Sequence, residues 1–308
     1  MQSHVVEHWS ITKPAVHSNS GMVASQHHLA SDVGAEVLRG GGNAIDAAVA
    51  TGLALGTVEP WMSGIGGGGY MTIYLAKENR VKVVEFGMRA PMASHGNDYP
   101  LAAGGENASD AFNWPKVVGD ANVEGPLSIA VPAYIKGIDL ALREFGTQPF
   151  AALIEPACQL AERGLPIDWF SCAKINHFSR ALRRFEETRK IYLADGLPPA
   201  IDLEGGINTL ALGKLAQTYR QLQRDGADAY YSGPLAESIV KDLNTAGSKI
   251  SLEDLATTSA TIADPVAARY RDATVYAAGK LTAGPSLLYA LALLTEKLSD
   301  QGEGSQPG

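Results

Sequence analysis

Cysteine is scarce: the 308 residues contain two, Cys158 and Cys172. That excludes a disulfide-stapled scaffold, and a reducing compartment suits the chain better than an oxidising one. An excess of basic residues is also missing. The formal net charge is −8, so no basic stripe is available to neutralise phosphates, and nucleic acid is not an expected partner. No uninterrupted apolar run reaches the length of a membrane span. The opening "MQSHVVEHWSITKPAVHS" has neither the basic nor the apolar region of a secretory signal. Together these absences lead to the expectation of a soluble, mildly acidic, cytoplasmic protein without a membrane partner.

Apolar residues make up 45% and charged residues 19% of the chain, proportions that support a folded core. No repeat and no break in composition divides the sequence, so a single domain is expected over residues 1–300. It has a polar, irregular excursion at about 91–125, and the unpatterned 299–308 stretch reads as a flexible linker.

Local patterns give an α+β succession. Gly21 to Ser25 reads as a short strand. Apolar residues Leu29, Val33, Val37 and Leu38 recur at helical spacing until Gly40-Gly41-Gly42. Asn43 suits an N-cap with Asp46 as its capping-box partner, and this explains Asp46 better than catalysis does. The alanine-rich helix that follows, to about Gly56, should pack closely on several sides. "YMTIYLA" and "RVKVVEF" form a hairpin. Helices are expected at 132–145, 149–163, 168–184, 210–225 and 234–245, and another from 250 with Ser251 as its cap. Two short extended pieces then precede a last helix at about 285–298.

Glycine is plentiful, and five of the six residues from Gly64 to Gly69 are glycine (Gly64, Gly66, Gly67, Gly68, Gly69). A phosphate-cradling loop would need Lys-Ser or Lys-Thr directly afterwards, and Tyr70-Met71-Thr72 stand there. A dinucleotide fingerprint would need a strand before and a helix after, which is the reverse of the order here. The remaining use is close backbone packing beside a sheet.

"GGNAIDAAVATGLALGTVEPWMSGIGGGGYM" resembles the signature region of the γ-glutamyltransferase family, in its large subunit. Further stretches match in order: "VPAYIKGIDLALREFGTQPF", "LIEPACQLAERGLPI", "DGADAYYSGPLAESIV" and "ISLEDLA". The similarity runs from about Met22 to Leu294. It implies a four-layer αββα N-terminal-nucleophile hydrolase sandwich, of which this chain is the large-subunit part. It also implies a precursor that cuts itself, an amide or γ-glutamyl substrate, and no metal or organic cofactor. The nucleophile would be a threonine at the new N-terminus of a separate small subunit. "ATTSATIAD" at 256–264 lacks the histidine of the family's Thr-Thr-His context, so no catalytic residue is expected in this chain, which alone should be inactive. A non-catalytic remnant or binding module is the alternative if the gene ends at Gly308, and an acylase with another acyl specificity is a second.

The resemblance also implies one substrate-binding residue, an arginine in an Arg-Glu-x-Ala-Pro pattern that grips a carboxylate. Here Gly87 and Met88 stand at the arginine and glutamate positions, and Arg89 comes two residues later. In an extended chain that keeps the face and shifts the origin by about 6–7 Å. Arg89 is therefore either a displaced substrate group or a structural arginine. His27 and His28 should point apart and bind no metal. Cys158, Cys172, Trp61 and Tyr70 read as packing residues, and Lys82 and Arg39 as solvated charges.

Overall fold

The computed structural model describes residues 15–108, 112–201 and 208–300. The stretch searched for a secretory signal lies largely outside these residues. So does the supposed linker, except for residues 299 and 300, which belong to the last helix.

Helix α1 (His28–Arg39) is capped by His27, whose Nδ1 accepts the Leu29 N–H at 3.2 Å. Because His27 is still extended, its ring stacks on that of His28 with centroids 4.8 Å apart. The two do not point apart. The segment from Gly21 to Ser25 is irregular rather than a strand. Among the described residues no strand lies alongside it, and Ser25 donates its N–H to Ser31 Oγ in α1.

Helix α2 (Ala44–Val58) opens with the expected box. Asn43 Oδ1 accepts from Ile45 and Asp46, and the Asp46 carboxylate accepts from the Asn43 N–H at 2.8 Å. Asp46 also reaches across the fold. It accepts from the Thr147 N–H (2.9 Å), the Gln148 N–H (3.2 Å) and the Thr147 hydroxyl. The small residues of α2 let its neighbours close in, and Ala47, Ala50, Leu53 and Ala54 are all buried.

Strands β1 (Gly69–Leu75) and β2 (Arg80–Phe86) pair antiparallel from Gly69↔Phe86 to Leu75↔Arg80. Asn79 takes the left-handed turn position at φ 47°, which asparagine tolerates. Lys82 is more than a solvated charge: it pairs with Asp264 at 2.6 Å and is largely covered. The excursion at 91–125 folds back on itself through bridges at Leu101↔Val117 and Asn107↔Pro115.

Helix α3 (Tyr134–Phe145) follows. The helix expected at 149–163 is two, α4 (Phe150–Leu153) and α5 (Glu155–Arg163), with Pro156 in the first turn of the second where its missing N–H is harmless. Strand β3 (Leu165–Pro166) leads to α6 (Trp169–His177), α7 (Ser179–Leu182) and α8 (Glu186–Tyr192). The single helix expected at 168–184 therefore breaks at Phe178 and gains a successor. Thr188 stabilises the second break by donating its hydroxyl to the Leu182 carbonyl at 2.7 Å. Strand β4 (Thr209–Leu210) pairs with β3, so the helix expected from 210 starts later, as α9 (Leu215–Asp225), after a turn at Gly213 with φ 55°.

Helices α10 (Pro234–Ala246) and α11 (Leu252–Ala256) are next, then β5 (Thr261–Ala263) beside β2, a hairpin of β6 (Val266–Tyr270) and β7 (Ala273–Ala277), and α12 (Gly284–Asp300). The main core lies between α2, α3, α5, α9 and α10, around Leu53, Ile135, Ile138, Ile154, Tyr219 and Leu222. No helix of the described residues is long and apolar enough to cross a membrane.

Burial opposes ionisation of Asp46, but its hydrogen bonds from Thr147, Asn43 and Gln148 outweigh this and hold its carboxyl below the usual range. A depressed folded-state pKa stabilises above the unfolded value and is lost as pH falls through the folded one. Asp46→Asn should cost about 2–4 kcal/mol near neutrality by urea denaturation. The gap to the parent should close below about pH 4; a gap independent of pH would contradict the assignment.

Candidate functional site

The glycine run connects α2 to β1, and its members differ in their surroundings. An ideal Cβ on Gly68 would stand 2.5 Å from the Phe86 carbonyl oxygen and 3.0 Å from the Met88 nitrogen. Backbone cannot yield there as a side chain would. On Gly69 it would press on the Phe86 ring at 3.1 Å, whereas Gly64 and Gly66 face open space. The Gly67 carbonyl accepts from both Ala133 and Tyr134 at 2.9 Å. It thus caps α3, whose own N-cap, Ala133, has no side-chain acceptor.

Beyond Phe86 the chain leaves the sheet and presents Arg89, held by a bridge to Val131 in which the Val131 N–H donates to the Arg89 carbonyl at 2.8 Å. The Arg89 side chain is exposed. Its guanidinium makes one long hydrogen bond, 3.3 Å to the Thr257 carbonyl. Among the described residues it forms no ion pair. Asp254 contributes the nearby negative field, but its oxygens are taken by Met92 N–H and by the N–H and hydroxyl of Ser251. Burial works against that carboxylate; these hydrogen bonds and Arg89 overcome it, and Asp254 titrates below its ordinary value.

Tyr70 is exposed rather than packed in the core. Its hydroxyl lies 2.7 Å from where a Cβ on Gly87 would be, so the phenol covers the space a side chain at 87 would need. Alternation along β1 leaves Tyr70, Thr72 and Tyr74 exposed while Ile73 is buried, and that pattern was the available signal. Trp61 is half-buried and packs edge-on to Phe170. It lines a cavity of about 360 Å³. A second cavity, about 540 Å³, lies between residues 22–26 and α2, on the other side of the turn at 59–63.

Glu59 is almost fully buried in that turn. Burial raises its pKa, with the Trp61 indole and Lys174 opposing. The Gln26 amide, oriented to donate, reaches both of its oxygens at 2.7 and 3.0 Å.

Cys158 is buried in the core, which pushes its thiol up to about 11, and the Cys172 thiol donates to the Pro199 carbonyl. Thr258, in the stretch rejected as a nucleophile, is buried and donates to the Asp254 carbonyl at 2.8 Å. No cluster of three or more potential metal ligands occurs among the described residues.

The fold is that of the N-terminal-nucleophile hydrolases, as the likeness to solved γ-glutamyltranspeptidase structures shows. The chain superposes on the crystal structure of Helicobacter pylori γ-glutamyltranspeptidase with a TM-score of 0.82 and 31% identity, covering 95% of this chain and 80% of that one. The sequence profile of the gamma-glutamyltranspeptidase family matches residues 30–306, and the chain belongs to that family. It is 36% identical over 254 residues to the glutathione hydrolase proenzyme of Bacillus subtilis, covering 82% of this chain and 40% of the relative. It is 35% identical over 260 residues to the acylase ACY 1 proenzyme of Pseudomonas sp. SE83, covering 84% and 44%. The chain thus spans well under half the length of these curated relatives.

Substitution in the loop should separate its members. Gly68→Ala is expected to cost more than about 2 kcal/mol, because backbone must move, whereas Gly66→Ala should stay within about 0.5 kcal/mol. Equal losses in chemical denaturation would show that the run is not read by close packing.

Proposed function

We propose that this chain is the large-subunit part of an autoprocessed amidohydrolase or acyltransferase, whose nucleophile is a threonine at the new N-terminus of a separate small subunit. The observation that carries this reading is one of extent. The chain covers 80% of the chain in the H. pylori structure but 40% of the B. subtilis proenzyme.

The chemistry follows from what a threonine needs. Its hydroxyl is weak and requires a base, and the α-amino group freed by cleavage, with a reference pKa of roughly 8, takes the proton. The alkoxide adds to the amide carbonyl, the C–N bond breaks, and the departing amine carries the proton away. Water or an acceptor amine then resolves the acyl-enzyme. This chain's share is to shape the cleft through the glycine loop and to offer Arg89, whose guanidinium donors are largely unspent, to an anionic group on the substrate.

The acyl group is the open choice between γ-glutamyl and acylase-type specificity. Gly87 lies under the Tyr70 hydroxyl, so the position from which the family pattern grips a carboxylate is filled by a phenol. That favours recognition shifted to Arg89, and an acyl group other than γ-glutamyl.

Intact-mass measurement of the product of the complete reading frame should give two fragments, the second beginning with threonine. A single uncleaved species, or robust turnover by the 308 residues alone, would overturn the proposal. In the processed enzyme, Arg89→Ala should raise KM for carboxylate-bearing substrates about tenfold or more with little change in kcat. An unchanged KM would leave Arg89 a structural residue.

A further inference from the structure

A cavity of about 360 Å³ lies between the turn at 59–63 and the broken helices α6 to α8. Its walls come from the features that interrupt helicity. Phe178 ends α6 and begins α7, and Phe185 stands extended at the start of α8. Both aromatic side chains line the cavity, with Trp61, Leu182 and Tyr192. At positions 178, 182, 185 and 192 these side chains would share one face even of a continuous helix; the two breaks bend that face around the cavity. Gly125 closes the wall at φ 94°, where a Cβ would stand 2.6 Å from the Phe185 ring. Glycine alone leaves room there for the end of that ring.

The volume and the mainly apolar lining are those of a small-molecule site. Its polar groups decide the ligand's sign. Glu124 reaches the lining but is held by Arg184 at 2.6 Å. The Thr188 hydroxyl is spent on the Leu182 carbonyl. Lys174 is the charge left over. It is half-buried, its ammonium lies 5.3 Å above the Phe170 ring, and among the described residues it forms no ion pair. The carboxylate whose field it feels, Glu59, lines the other cavity. The surrounding segment adds Arg180, Arg183 and Arg189, while its Lys190 is paired with Glu186 and Glu187.

We infer that this cavity binds a small organic acid with an apolar aliphatic or aryl body, its chain against Trp61, Phe178 and Phe185 and its carboxylate on Lys174. The inference does not rest on the catalytic reading. Burial of the apolar body supplies affinity, and pairing with the Lys174 ammonium adds a charge-assisted bond.

The test is calorimetric titration of the purified protein with octanoate and, as a neutral control, with 1-octanol. One octanoate should bind per chain, with a Kd of roughly tens of micromolar. Lys174→Gln should weaken octanoate about tenfold and leave octanol unchanged. Ala181→Trp, which fills the cavity from its wall, should abolish binding of both. Circular dichroism shows that each variant is folded. Failure of octanoate to saturate, or binding indifferent to both substitutions, would overturn the inference. Equal affinity for octanoate and octanol would overturn the role given to Lys174, and with it the class of ligand.

Discussion

Phe86 is the joint on which the arrangement depends. It ends β2 on the core face, lies edge-on to Tyr134 with ring centroids 6.1 Å apart, and leaves no space for a neighbour's side chain. A Cβ on Gly137 would stand 2.0 Å from its ring, and one on Gly68 would stand 2.5 Å from its carbonyl oxygen. Glycines from two segments far apart in sequence thus converge on one aromatic residue. Each glycine inside an element costs roughly 0.5–1 kcal/mol of backbone entropy. Burying one phenylalanine contributes about 2–3 kcal/mol, and the Gly67 carbonyl adds a cap to α3 in the same place. The joint therefore holds as a unit, and the chain leaving it toward Arg89 starts from a fixed point.

Helix α2 fixes the other end of the glycine run. Its N-terminus is tied through Asp46 to Thr147 and Gln148, just past the end of α3. Near its C-terminus the Tyr219 hydroxyl donates to the Leu53 carbonyl at 3.1 Å. Gly56 sits below that hydroxyl, with the Gly64 Cα 3.3 Å from where its Cβ would be. The start of the glycine run is thus laid directly on α2. A loop with so many glycines would be loose if its ends were free; here both ends are packed against helices, and only Gly64 and Gly66 face open space.

Much of this was legible in the chain. The Asn43–Asp46 box, the β1–β2 hairpin, α3, the Ser251 cap and the two extended pieces that pair as β6 and β7 all follow from local pattern, because each is closed by residues a few positions apart. The extended 21–25 segment has the composition of a strand, but a strand needs a partner and composition does not supply one. The breaks at Phe178 and Phe185 were hidden for a similar reason: the aromatic residues fit a helical spacing, and what turns the chain is a tertiary cavity with a hydroxyl from Thr188. At the candidate site the glycine run and Arg89 stood out by residue type. Tyr70 did not, since its significance lies in a contact with Gly87, a residue without a side chain.

That contact bears on how specificity can change within one scaffold. Position 87 and Tyr70 compete for one volume at the edge of the sheet, so a long side chain at 87 requires the phenol to move. With glycine there, the hydroxyl of β1 is brought forward and the first cation along the chain is Arg89, roughly 6–7 Å further out. The backbone on both sides stays put, because Phe86 anchors one end and the Arg89–Val131 bridge the other. On the proposed role of Arg89, recognition would move along the chain without loosening the joint beneath it. A polar group can change place while the packing that positions it stays, and that separation would let such a fold accept different acyl groups at little cost in stability.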